Sequence, residues 1–100
     1  MELNVHMKAS WKGVTIAESD ETILVEGNHY FPSGDVEMKY MMPSKTKTKC
    51  AWKGVANYYT INIDGDLNKD ACWYYAKPKK AAKNILGHVA FWRGVEVTDS

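Results

Sequence analysis

The sequence predicts a mainly β domain with one short helix near its C-terminus, arranged as a small barrel or as two packed sheets. Apolar and polar residues alternate at period two through most of the chain, the pattern of half-buried strands. Turn signals at Lys12-Gly13, Gly27-Asn28 and Asp64-Gly65 cut those runs into short pieces. Helical spacing appears in one place, where Pro78 suits a first helical position, Ala82, Ile85 and Leu86 supply the apolar stripe, and Gly87 follows the end. Many short strands joined by tight turns favour closed or layered β architectures over an α/β one.

The strands follow in order. Val5, Met7, Ala9 and Trp11 share one face, and Val14 and Ile16 continue after the Lys12-Gly13 turn. Ile23 and Val25 mark the next strand, ended by Gly27-Asn28. Val36, Met38, Tyr40 and Met42 form the clearest alternating run, which Pro43 is expected to stop. Tyr59, Ile61 and Ile63 point one way and Tyr58, Thr60 and Asn62 the other, before a hairpin at Asp64-Gly65. A strand from about Asp70 to Tyr75 comes next, and His88 to Trp92 and Val95 to Val97 supply the last two.

One hundred residues make a single domain spanning 1–100. A chain of this size buries roughly two-thirds of its unfolded surface, enough for a core without metal or disulfides. No apolar run approaches the ~20 residues of a membrane span. The start, Met1 to His6, has no basic segment followed by an apolar one, so no membrane association and a cytoplasmic location are expected. Cys50 and Cys72 are the two cysteines; without C-x-x-C spacing they are expected to be free thiols, and no metal site is predicted.

Charge is unevenly spread. Residues 1–44 hold three Lys against seven acids, whereas residues 45–83 hold nine Lys against three acids. The basic middle suits an anionic partner. With a single Arg in the chain, sequence-specific DNA binding is disfavoured, because base-edge reading draws on bidentate Arg.

Lys77, Lys79 and Lys80 crowd the start of the predicted helix, where cations oppose the helix dipole unless an anion docks there. Lys45, Lys47 and Lys49 alternate with Thr46 and Thr48; such a comb contacts phosphates or, more commonly, guards a sheet edge. Asp64-Gly65-Asp66 has the carboxylate pair a magnesium site needs, but also hairpin-turn chemistry, which is the stronger explanation. No Walker-type phosphate loop is present. His88, after a Gly at the helix-to-strand junction, is the candidate catalytic acid or base. The sequence names no cofactor.

Aromatic residues dominate the second half of the chain. They cluster in Trp52-Lys53-Gly54, Tyr58-Tyr59, Cys72-Trp73-Tyr74-Tyr75 and Phe91-Trp92. Tyr58 lies on the face opposite Tyr59, and Trp73 and Tyr75 oppose Cys72 and Tyr74, so aromatics occupy both faces of the sheet. Such a sheet packs both faces or lines a pocket with one. Trp and Tyr faces suit flat rings and cations.

On Ala17-Glu18-Ser19, Tyr30-Phe31-Pro32 with Asp35-Val36, Thr48 to Tyr59, Trp73 to Pro78 and Gly87 to Phe91, the chain resembles the bacterial domain of unknown function 427 family, which also carries a nucleotidyltransferase-like label. Ala51 departs from a pattern that often has Pro after the Cys. The resemblance implies a β-tent, two small antiparallel sheets meeting at an angle. Methionine sulfoxide reductase B and the thalidomide-binding domain of cereblon share that architecture, and in the latter aromatics cage a small ring. The zinc that relatives bind with two Cys pairs has no counterpart in this sequence.

The expected function is binding of a small ring-containing or anionic ligand, a nucleotide among the candidates, in a pocket formed by Trp52, Tyr58, Trp73 and Tyr75 with Lys53 and Lys79. A nucleotidyltransferase-like enzyme using His88 is one alternative. A protein-interaction module using the same aromatics as a hot spot is another.

Overall fold

Lys12 and Gly13 both take positive φ, 50° and 74°, in the computed structural model, which describes residues 5–99. Two successive positive φ angles make the primed turn whose twist matches that of paired strands. It joins β1 (Met7–Trp11) to β2 (Val14–Ser19), with Trp11 facing Val14. The same device at Glu26-Gly27 joins β3 (Ile23–Val25) to β4 (Asn28–Pro32), and at Asp64-Gly65 joins β6 (Gly54–Ile63) to β7 (Asp66–Tyr74). The Asp64-Gly65-Asp66 segment is therefore a hairpin turn, tightened by a bond from the Gly65 N–H to Asn62 Oδ1 at 2.9 Å.

The chain is mainly β, in two antiparallel sheets. β9 (Glu96–Asp99) completes a three-stranded sheet ordered β2-β1-β9. β5 (Met41–Cys50) and β8 (His88–Phe91) complete a six-stranded sheet ordered β3-β4-β8-β7-β6-β5. This is the pair of antiparallel sheets expected of a β-tent.

The strand β6 feeds two cores from its two faces, and this positions the aromatic site. Ile61 and Ile63 pack with Ala9, Ile16, Phe31, Cys72 and Phe91 in one cluster, against which Tyr59 and Tyr74 lean. Ala56 and Tyr58 pack with Tyr30, Tyr75, Ile85 and Ala90 in a second, with Trp73 against it. The opposed aromatics of β6 and β7 thus fill separate layers. Burying a side chain the size of Ile61 contributes about 1.5–3 kcal/mol to folding. In the first layer Tyr59 and Tyr74 stack at 4.7 Å between ring centroids.

The turn expected at Gly27-Asn28 lies one residue earlier, at Glu26-Gly27, because Asn28 already pairs with Val25 as the first residue of β4. Two larger expectations also change. The alternating run from Val36 to Met42 is not one strand. Val36 makes an isolated bridge to Ala17, Met38–Tyr40 is a 3-10 turn, and β5 begins at Met41 and runs through Pro43. Pro43 fits because β5 is an outer strand and its register shifts between Pro43 and Lys47, where a missing N–H does no harm. The second change is in the C-terminal helix. Lys80–Ile85 forms two 3-10 turns broken at Ala82, closed by bonds from Ala82 N–H to the Lys79 carbonyl and Leu86 N–H to the Lys83 carbonyl. So short a segment does not repay α-helix nucleation, and each turn instead buries one apolar side chain, Ala82 and Ile85. Leu86 stays exposed, so the predicted apolar stripe is one residue too long.

Lys45, Lys47 and Lys49 lie on the outer strand, as the edge-guarding reading expects. Cys50 and Cys72 are free thiols; Cys72 is buried, its Sγ 3.5 Å from Met41 Sδ, and burial pushes its pKa up. Among the described residues no helix is long and apolar enough to cross a membrane.

Candidate functional site

Asp70 is the pivot from which the site is built. It takes a positive φ of 55° inside β7, where the register with β6 jumps from Tyr59↔Cys72 to Ile61↔Asn68. Asp tolerates this left-handed conformation better than most residues. Its carboxylate accepts hydrogen bonds from the Ser44 hydroxyl at 2.6 Å and the Thr46 hydroxyl at 2.7 Å. These bonds, Ser44 first, hold its pKa below the usual carboxylate value despite burial. The extra chain at the bulge presents backbone acceptors outward. The Trp92 indole N–H donates to the Asp70 carbonyl at 2.6 Å, and the Trp92 backbone N–H donates to the Ala71 carbonyl at 2.9 Å.

Trp92, just past the end of β8, is thereby folded back over the sheet. Its ring lies 5.5 Å from that of Trp73, at 71°, and 6.5 Å from that of Tyr58, at 34°. Tyr58 and Trp73 are direct partners across β6 and β7, and Ala90 faces Trp73 from β8. That row runs large, large, small, which leaves space over Ala90 for Tyr30 and Trp73 to meet edge to face.

Lys53 closes one side. It lies in the turn between β5 and β6 and is only 7% exposed. Its backbone carbonyl accepts the Lys79 N–H at 2.9 Å, and Gly54 next to it has φ of 116°. A side chain at Gly54 would stand 3.3 Å from the Lys77 carbonyl, so glycine lets the 77–79 segment pack here. The Lys53 ammonium is bonded to the Glu26 carboxylate and lies 5.6 Å from the ring centroids of both Trp52 and Tyr75. Desolvation alone would lower its pKa; the Glu26 bond and the neighbouring tyrosines outweigh it, and the pKa is raised. Lys53 is a firm cation. Tyr75 shifts upward, because desolvation outweighs the nearby Lys53 charge.

Together Asn28, Lys53, Tyr58, Trp73, Tyr75 and Trp92 line a pocket of about 250 Å³. The polar tips of Tyr58, Trp73 and Trp92 are occupied by protein partners. The Trp73 indole N–H donates to Tyr30 Oη at 3.1 Å, Trp92 is tied to Asp70, and Tyr58 Oη meets Thr48 Oγ1 at 2.8 Å. Ring faces and edges, with Lys53, Asn28 and the Tyr75 hydroxyl as polar groups, are what the pocket presents.

Of the residues singled out from sequence, Lys53, Tyr58, Trp73 and Tyr75 meet in this pocket. Trp52 sits outside its lining, over Lys53, with its indole N–H 3.4 Å from the Glu26 carboxylate. Lys79 donates to the Ala51 carbonyl at 2.7 Å and lines a separate hollow of about 470 Å³ with Lys47, Asn57 and Lys77. Because the helix is only a pair of 3-10 turns, Lys77, Lys79 and Lys80 crowd no helix dipole there. His88 is half-buried at the start of β8, paired with Pro32, its Nδ1 2.9 Å from the Leu86 carbonyl. It is not among the pocket's lining residues.

Trp92, Asn28 and Glu26 join the site without having been singled out. Trp92 was within reach: it shares strand phase with Ala90, the residue facing Trp73. Asn28 and Glu26 arrive from a hairpin far along the chain, and no local pattern marks them.

Comparison with curated proteins finds no match. A family profile, however, spans nearly the whole chain, from the first strand that frames the core to the last. The protein that builds this aromatic pocket belongs, over residues 1–99, to the family described as a domain of unknown function (DUF427).

Proposed function

We propose that this domain binds a small, flat, ring-containing ligand against the aromatic wall of Trp73, Trp92 and Tyr58. The observation that carries the proposal is that these three rings line one pocket while their polar tips are bonded to the protein. With those tips committed to the protein, ring surface is what a ligand would meet at these three residues. A volume of about 250 Å³ suits one or two fused rings rather than a drug-sized molecule, whose sites start near ~300 Å³. Stacking on such walls is worth about 1–3 kcal/mol per ring by analogy with aromatic base platforms.

A nucleoside or nucleotide belongs to this class through its base. Nucleotidyl transfer would also need paired carboxylates holding metal beside the phosphates, and nothing at this pocket favours it over binding alone. A thermal-shift screen against nucleosides, nucleotides with and without magnesium, and neutral heteroaromatics tests the proposal. Stabilisation of about 2.7 kcal/mol is expected for a ring ligand at a hundred times its Kd. Silence across the panel would favour the second reading, a protein-binding face, which the 40% and 42% exposure of Trp52 and Trp92 supports.

A further inference from the structure

The polar end of the aromatic pocket has an asymmetry that core packing does not explain. A buried ammonium must be neutralised, and an ion pair inside a protein is retained only with close, well-aligned partners. Lys53 is such a group, yet its partner is not a core carboxylate. It is Glu26, whose side chain is 52% exposed and which sits in the two-residue Glu26-Gly27 turn. That turn ends a hairpin whose outer strand, β3, has three residues and forms an edge of the six-stranded sheet. Besides the Lys53 bond, the Glu26 carboxylate has, among the described residues, a single long contact, from the Trp52 indole N–H at 3.4 Å. The anion is therefore delivered from solvent to the mouth of the pocket by a short edge element, while the cation is fixed in the wall.

Lys53 also has hydrogen-bonding capacity to spare. An ammonium carries three donors; among the described residues Glu26 takes one and the Tyr75 hydroxyl lies close enough to take a second, which leaves one. Asn28, at the other end of the same turn, adds an amide to the lining. From these contacts we infer that the pocket's ligand is an aromatic ring bearing an oxyanion, which replaces Glu26 as the counter-ion of Lys53. Glu26 then acts as a resident competitor. It keeps Lys53 neutralised while the pocket is empty and withdraws to solvent, where a carboxylate is well hydrated, when the ligand's own anion arrives. This rests on the proposed ring-binding role of the pocket and names the substrate class for it.

The exchange conserves charge: one carboxylate leaves the ammonium and one oxyanion takes its place. A neutral ring would have to leave the Glu26–Lys53 pair intact and would gain only the stacking walls. A cationic ring would be repelled by Lys53.

Indole-3-carboxylate and indole-3-carboxamide, matched in ring and size, serve as probes at neutral pH. Their affinities are measured by calorimetry for the unaltered protein, Glu26→Gln and Lys53→Met. Glu26→Gln should tighten carboxylate binding by about tenfold and leave the carboxamide within about twofold, because only the anion competes with Glu26. Lys53→Met should erase the preference for the carboxylate. Phenyl phosphate, run in parallel, separates a phosphate from a carboxylate as the favoured oxyanion. If Glu26→Gln leaves carboxylate affinity unchanged, or weakens both probes alike, the pair is a structural tether and the inference fails while ring binding stands. Equal tightening of both probes would mean that Glu26 merely blocks access, which also overturns it. If neither indole binds any of the three proteins, the ring-binding role itself is wrong and the inference falls with it.

Discussion

The indole N–H of Trp73 donates to the phenol oxygen of Tyr30 at 3.1 Å, with the two rings 88° apart and their centroids 6.1 Å apart. Tyr30 comes from β4 and Trp73 from β7, with β8 between them, so this contact ties three strands beneath the pocket floor. Tyr30 is fully buried. Its ring packs the second core while its hydroxyl fixes the tilt of the Trp73 ring.

Tyr30→Phe keeps the ring and removes that acceptor. It should cost about 1–3 kcal/mol, the penalty of leaving the Trp73 N–H without its partner. In a domain of this size each kcal/mol lowers the melting midpoint by roughly 4–8 °C. Thermal unfolding by circular dichroism reads the loss, and an unchanged midpoint would mean that the bond contributes nothing.

Asp70 gives stability a pH dependence of known sign. Its folded pKa is depressed by the Ser44 and Thr46 hydroxyls, so its contribution is present above the ordinary Asp value of about 4 and is lost as pH falls through the depressed value. Asp70→Asn keeps a residue tolerant of positive φ and removes the charge. The variant should melt several degrees lower at neutral pH and lose less stability on acidification. Parallel curves for the two proteins would contradict this.

The two cores should separate folding from binding. Ile61→Ala empties part of the first core and should cost about 2–5 kcal/mol while leaving ring affinity within a small factor. Trp92→Ala removes a wall that is 42% exposed, so it should abolish ring binding with a smaller drop in melting midpoint. Calorimetry with melting curves on both variants decides it; a reversed pattern would place the pocket elsewhere.

Replacing Lys45, Lys47 and Lys49 together by Thr should leave the fold intact but promote association through the bare edge of β5. Light scattering as a function of concentration measures this, and a variant that associates no more than the unaltered protein would remove the edge-guarding role.

What could be read from the sequence was the local chemistry. Period-two alternation placed Tyr58 and Tyr59 on opposite faces of β6, and the structure gives each its own core. Hairpin turns at Lys12-Gly13 and Asp64-Gly65 follow from residue preference alone. Run length was harder. Val36 to Met42 alternates without forming one strand, because Met38–Tyr40 turns and Pro43 belongs to an edge that tolerates it. Among the site residues, Lys53, Tyr58, Trp73 and Tyr75 were visible because Tyr58 and Trp73 sit on the neighbouring strands β6 and β7 and Lys53 and Tyr75 directly adjoin the ends of those strands. Glu26 was not: its meeting with Lys53 depends on bringing β3 and β4 to the end of β6, which periodicity does not encode.

The most direct test of the ring-binding claim uses the indole N–H signals of the four tryptophans in a proton–nitrogen correlation spectrum, titrated with indole and indole-3-carboxylate. Trp73 and Trp92 line the pocket, Trp52 lies at its rim over Lys53, and Trp11 packs against the other core. The account predicts saturable shifts at Trp73 and Trp92 and a stationary Trp11. Shifts that appear equally at Trp11, or at no tryptophan up to the solubility limit, would contradict it.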